Sequence, residues 1–124
     1  MRPRYVLLLP PLLLWLSACA SGPFKEHKGD PVLKTGLAHY ENGDYRTAAR
    51  SLQTALDAGL SADNQIKAHK YLAFIHCTSN REKACREEFR KAFELDPSFE
   101  LGAGEVGHPL WGPVYRNLRN ERKR

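Results

Sequence analysis

The sequence predicts an all-α domain, and three observations carry that prediction. From Val32 to Phe93 apolar residues return every three or four positions, the spacing of one helix face. Glycine, proline, asparagine and serine interrupt these runs at Glu41–Asp44, Gly59–Ser61, Thr78–Asn80 and Asp96–Pro97, where such residues start and stop helices. The stretch from Gly43 to Ala55 returns from Asn80 to Ala92, a spacing of 37 residues, so one helical unit occurs twice.

Each element follows from local chemistry. Asp30 followed by Pro31 reads as an N-cap and first-turn proline. Leu33, Leu37 and Tyr40 then make a stripe that ends at the Glu41-Asn42-Gly43-Asp44 turn. Tyr45, Ala48, Ala49, Leu52, Ala55 and Leu56 form the apolar face of a second helix, which Gly59 stops. Ser61 can cap the third helix, driven by Ile66, Tyr71, Leu72, Phe74 and Ile75 as far as Thr78-Ser79-Asn80. A fourth runs from about Arg81 through Phe89, Ala92 and Phe93, and Pro97 prevents its continuation. Past a glycine-rich stretch expected to be flexible, Leu101 to Gly107, Pro113 opens a short helix whose Val114, Tyr115 and Leu118 share a face. That helix is expected to cap the open end of the core, with Trp111 buried nearby. The stretch Leu101 to Gly107 lacks the Lys-Ser/Thr of a phosphate-binding loop.

The duplicated unit resembles the tetratricopeptide repeat, with its W-x2-L-G-x2-Y, A-x3-F and P signature in a 34-residue period. Its second copy has His69-x2-Leu72-Ala73-x2-His76, then Cys85-x3-Phe89 and Pro97. The first copy has Gly36 and His39, then Ala48-x3-Leu52 and Ala55. Histidine replaces the usual tyrosine in both copies, and the first lacks its terminal proline. The resemblance covers residues 32–99 and implies two antiparallel helix hairpins stacked side by side, with residues 100–124 supplying the loop, capping helix and basic tail. Groove binding of a protein or peptide is the usual family use.

The first eighteen residues read as an export signal: Arg2 and Arg4, an apolar run from Tyr5 to Leu16, then small residues before Cys19. That run is too short for a helix crossing about 30 Å of hydrocarbon. Leu16-Ser17-Ala18-Cys19 resembles the lipobox of bacterial lipoproteins. The resemblance implies cleavage before Cys19 and its acylation, and the absence of Asp after it points to the periplasmic face of the outer membrane. Multiple acyl chains, each buried methylene worth about 0.8 kcal/mol, would hold the chain to the bilayer. Residues 19–31 then form a Gly-, Pro- and charge-rich tether with an r.m.s. reach of roughly 20 Å. The formal charge of +5 includes Arg2 and Arg4, and much of the remaining excess lies in YRNLRNERKR at the C-terminus. An exported chain without a recognition motif is not expected to bind nucleic acid; the tail reads as a solubilising helix end or a contact for anionic lipid.

With Cys19 assigned to lipid, Cys77 and Cys85 are left as an even count in an oxidising compartment, which favours one disulfide. The competing readings are zinc held by His69, His76, Cys77 and Cys85, a redox-active pair, and a Cys–His nucleophile. None has the expected spacing: there is no CxxC, and no orienting third group can be named. His39 and His76 are expected to pack between helices, and Glu82, Lys83, Glu87 and Glu88 to form a solvated face with Glu82 paired to Arg86. The segment AFELDPSFEL with GHPLWGPVYR resembles the ends of short outer-membrane lipoproteins with such repeats, some accessory to envelope machines that include type VI secretion systems. The expected function is therefore non-enzymatic: a lipid-anchored adaptor holding a protein partner, without metal or cofactor. His108, Trp111, Tyr115, Arg116 and Arg119 are the candidate partner contacts. The alternatives are a periplasmic thiol oxidoreductase using Cys77 and Cys85, and contact of the basic tail with cell wall or anionic lipid.

Overall fold

A computed structural model describes residues 25–124; the signal segment, Cys19 and the first part of the tether lie outside the described residues. The described chain is all-α: α1 (Asp30–Glu41), α2 (Tyr45–Ala58), α3 (Ala62–Thr78), α4 (Glu82–Leu95) and α5 (Gly112–Arg122). None of these helices is long and apolar enough to cross a membrane.

Side-chain caps set two of the starts. The Asp44 carboxylate accepts from the Thr47 amide and opens α2, and the Ser61 hydroxyl accepts from Asn64 and opens α3. Such caps are worth about 1 kcal/mol each. The first helix departs from expectation. Its N-cap is Gly29, and Asp30 lies inside the first turn. The Asp30 carboxylate instead accepts from the His27 amide at 2.8 Å and from Asn64 Nδ2 at 3.0 Å, joining the start of α1 to that of α3. Residues 30 and 31, expected within the tether, are thus the first two of α1. Gly29 donates to the Gly59 carbonyl at 2.9 Å, and a Cβ there would stand 2.3 Å from the Ala55 carbonyl oxygen.

Turns of three residues fold α1 onto α2 and α3 onto α4, while α2 lies against α3 and α5 against α4. Small buried residues (Ala48, Ala55, Ala68, Ala73 and Ala92) permit this close approach. One apolar cluster, built on Leu33, Leu52, Leu60, Leu72 and Ile75, fills the first three helices. A second, with Phe74, Phe89, Phe93, Phe99, Trp111, Tyr115 and Leu118, fills the space between the second hairpin and α5. The aromatic residues concentrate where α5 closes the core.

Two further expectations are corrected. The glycine-rich loop is held in place: Glu105 accepts from the Gly102 amide, its carboxylate meets Lys70 of α3 at 3.0 Å, and its carbonyl accepts from Trp111 Nε1 at 2.8 Å. Arg86 pairs with Glu121 of α5 rather than with Glu82, because the approach of α5 offers a carboxylate across the helix interface.

Candidate partner interface and the stitched hairpin

The last turn of α3 and the first turn of α4 bring Cys77 and Cys85 together. Their sulfurs are bonded, with Cα atoms 5.2 Å apart, inside the geometric range of a disulfide. Both residues are buried, Cys85 fully. A fully buried position on α4 thus accommodates half of a disulfide. Neither sulfur remains as a thiolate ligand, and no group of three His, Cys, Asp or Glu among the described residues is arranged to hold a metal ion.

A second stitch lies further along the same hairpin. His69 Nδ1 is 2.6 Å from Glu88 Oε2, and their side chains are only 12% and 10% exposed. Lys91 approaches the other Glu88 oxygen at 3.5 Å. Glu88 had been expected on a solvated face, but it falls between Cys85 and Phe89 at the margin of the buried stripe of α4, and α3 covers that margin. Burial pushes its carboxyl up, whereas the His69 hydrogen bond and charge, aided by Lys91, pull it down; the net effect is a carboxyl below its usual range. His76, half-buried, is lowered first by burial and then by Arg81 and Lys91, against the raising field of Glu88. Its Nδ1 is buried without a hydrogen-bond partner among the described residues. His39 does not pack between helices as expected; it lies at the end of α1 with Nδ1 3.5 Å from the N-cap Asp44.

The residues anticipated as partner contacts divide. Trp111, 9% exposed, stacks on Phe74 with centroids 4.0 Å apart. Tyr115 is buried among Phe89, Phe93 and Phe99, and its hydroxyl donates to the Phe99 carbonyl at 3.3 Å. Both are core residues rather than displayed ones, because α5 needs a large apolar face to close the end of the stack. His108 lies flat over Trp111 with centroids 3.4 Å apart, and its Nδ1 accepts from the Leu110 amide. Arg116 donates to the Val106 carbonyl at 2.8 Å, and the Arg119 guanidinium sits 5.5 Å from the Tyr115 ring centroid.

A different aromatic surface was hidden in the sequence. Tyr40 at the end of α1 contacts Tyr45 at the start of α2 (5.2 Å between centroids) and Tyr71 of α3 (4.8 Å, edge-on). Tyr71 continues to Phe74 at 5.6 Å, and Lys70 Nζ lies 5.1 Å from the Tyr71 ring. Tyr45 is 44% exposed, and Tyr40 and Tyr71 are half-buried. Among the described residues no hydrogen bond engages these three hydroxyls. The Tyr40 hydroxyl is pushed up to about 12 by burial and then by Tyr45, Tyr71 and Glu105, so it is a neutral donor at any physiological pH. In the sequence the three tyrosines read only as apolar helix positions; their contact joins residues 31 apart in sequence, which helix periodicity cannot report.

The arrangement offers an aromatic face with hydroxyl donors and acceptors, bordered by the Lys70–Glu105 pair. No family model, curated protein or solved structure matches the chain.

Proposed function

We propose that this chain is a lipid-anchored envelope adaptor whose two tetratricopeptide-like hairpins and capping helix present the Tyr40–Tyr45–Tyr71 face to a protein partner. The tyrosine cluster is the observation that carries the reading. Tyrosine provides large amphipathic contact area with little side-chain entropy to lose, and it is enriched among residues that dominate binding energy. Here the rings already support one another and rest on the Phe74–Trp111 stack, so little ordering remains to be done on association. Anchoring through acylated Cys19 at the periplasmic face of the outer membrane is the setting that the N-terminal motif suggests. An accessory place in an envelope machine, a type VI secretion system for example, follows from the resemblance of the C-terminal segments.

The buried disulfide favours this reading over thiol oxidoreduction, since Cys85 offers no exposed sulfur to an incoming thiolate. Affinity purification of the full chain from detergent-solubilised membranes tests the adaptor. Tyr45→Ala and Tyr71→Ala should each reduce a co-purifying partner at least tenfold, a change of about 1.4 kcal/mol, with thermal unfolding showing that the domain stays folded. Undiminished recovery with both variants would remove the tyrosine face from the proposal.

A further inference from the structure

A charged surface lies on α5 and the residues after it. Between residues 112 and 124 there are five cations, Arg116, Arg119, Arg122, Lys123 and Arg124, against one acidic side chain, Glu121. Glu121 is already paired with Arg86 of α4. The arginines of α5 are held by uncharged groups: Arg116 by the Val106 carbonyl, Arg119 over the Tyr115 ring, and Arg122 by the Phe93 carbonyl and over the Phe93 ring. Carbonyls and rings orient a guanidinium without neutralising it. Arg119 Nε is buried with no hydrogen-bond partner among the described residues. Arg119 and Lys123 border a shallow cleft of about 120 Å³ with Ser98 and Glu100 on its far rim. An ordinary solvated helix end would carry its cations loosely or paired with carboxylates; here Arg116, Arg119 and Arg122 are held in place with no carboxylate paired to them among the described residues, and Lys123 and Arg124 stand exposed beside them.

We infer that this face docks onto an anionic bilayer, laying the domain against the membrane that anchors it. The inference rests on the lipid-anchor reading, which makes that bilayer the constant neighbour of the chain. Reach permits it. Cys19 and His27, where the hydrogen-bonded turn into α1 begins, are eight residues apart, which span about 26 Å when extended. With helix layers about 10 Å apart, α5 lies roughly 20 Å across the stack from α1. Each Lys or Arg near an anionic surface favours the docked state about fivefold, and the attraction fades beyond a Debye length of about 8 Å at physiological salt. Docking through α5 would leave the tyrosine face, built from α1, α2 and α3, open to a partner.

The test uses the full acylated chain in vesicles, with a donor dye on its C-terminus and an acceptor on the lipid headgroups. Mass spectrometry of the N-terminal peptide is run first; an unacylated Cys19 would overturn the anchor and the docking with it. Vesicles containing about a third phosphatidylglycerol should give higher energy transfer than phosphatidylcholine alone. About 0.5 M NaCl, which shortens the Debye length to about 4 Å, should abolish the difference. The variant Arg122→Gln, Lys123→Gln, Arg124→Gln should lower the docked-to-free ratio about a hundredfold. The salt arm needs no variant and so stands even if those changes unsettle α5. Energy transfer that is the same on both vesicle compositions, from an acylated chain, would overturn the docking while leaving the anchor intact.

Discussion

Replacing Glu88 by Ala removes the acceptor that His69 holds inside the second hairpin. A hydrogen bond to a charged group contributes about 1.5–3 kcal/mol, and leaving a buried partner unsatisfied costs about 1–3 kcal/mol. The two side chains here retain 12% and 10% exposure, which relieves part of the penalty and puts the expected loss at about 2–3 kcal/mol. For a domain of this size each kcal/mol moves the melting temperature about 4–8 °C, so Glu88→Ala should melt roughly 10–20 °C lower. Far-UV circular dichroism of the disulfide-intact chain at neutral pH measures it, and His69→Ala with the double variant should show a coupling of about 1–3 kcal/mol. The pair also predicts a pH dependence. Because the folded carboxyl of Glu88 lies below its ordinary value of 4.5, its stabilisation is present above that value and is lost as pH falls through the lower folded value. Glu88→Gln should flatten this acid limb. A loss within the ±0.5 kcal/mol of an ordinary surface substitution, or strict additivity with His69→Ala, would refute the buried pair.

Other substitutions probe independent features. His76 is lowered from 6.5 in the folded state, so the unfolded chain binds more protons and stability should fall as pH drops from about 6.5 toward the lower folded value; His76→Gln should remove that upper window from a melting-versus-pH series. Replacing Cys77 and Cys85 together by Ser reopens a loop with a sequence separation of 8, for which chain entropy gives about 2.5 kcal/mol, measurable as a lower urea midpoint. Gly29→Ala drives a methyl toward the Ala55 carbonyl at 2.3 Å and should destabilise by about 1–3 kcal/mol, whereas Gly104→Ala, with open space around it, should stay within about 0.5 kcal/mol.

What the sequence made legible follows how local each signal is. Asp44 and Ser61 cap within three residues of themselves, and Pro97 stops α4 by its own ring, so helix number and turns could be read without any fold. The position of Cys85 on the buried stripe, one helical turn before Phe89, was equally readable. Glu88 was not, because periodicity places it at the edge of that stripe without saying which helix covers the edge; only the approach of His69 from α3 decides it. Trp111 and Tyr115 pose the same difficulty from the other side. Their aromatic character fits a binding surface or a core, and the choice depends on how deeply α5 packs against Phe89 and Phe93. Contact of Tyr40 with Tyr71 is a property of two hairpins lying together, and neither helix encodes it alone.

The placement of the stitches follows from the position of the second hairpin. On one side α3 receives α2, and on the other α4 receives α5, so any sliding of α3 against α4 would disturb both apolar clusters at once. The disulfide fixes the end of that hairpin next to the Ser79–Arg81 turn, and the His69–Glu88 pair fixes its register nearer the middle. Two points at different heights oppose both sliding and splaying, which one link would not. Among the described residues the α1–α2 hairpin has no disulfide and no buried charged link between its helices, only the exposed His39–Asp44 contact at its turn, and it depends on Leu33, Leu52 and the close approach of Gly36 to Leu52. Tyr40 and Tyr45 belong to that less constrained hairpin, while Tyr71 belongs to the stitched one. The tyrosine face therefore spans the join between the two, and loosening of the His69–Glu88 pair should reach it through α3. Glu88→Ala would then weaken partner binding as well as stability, whereas Gln53→Ala, at an exposed position of α2 outside both the core and the tyrosine face, should change neither.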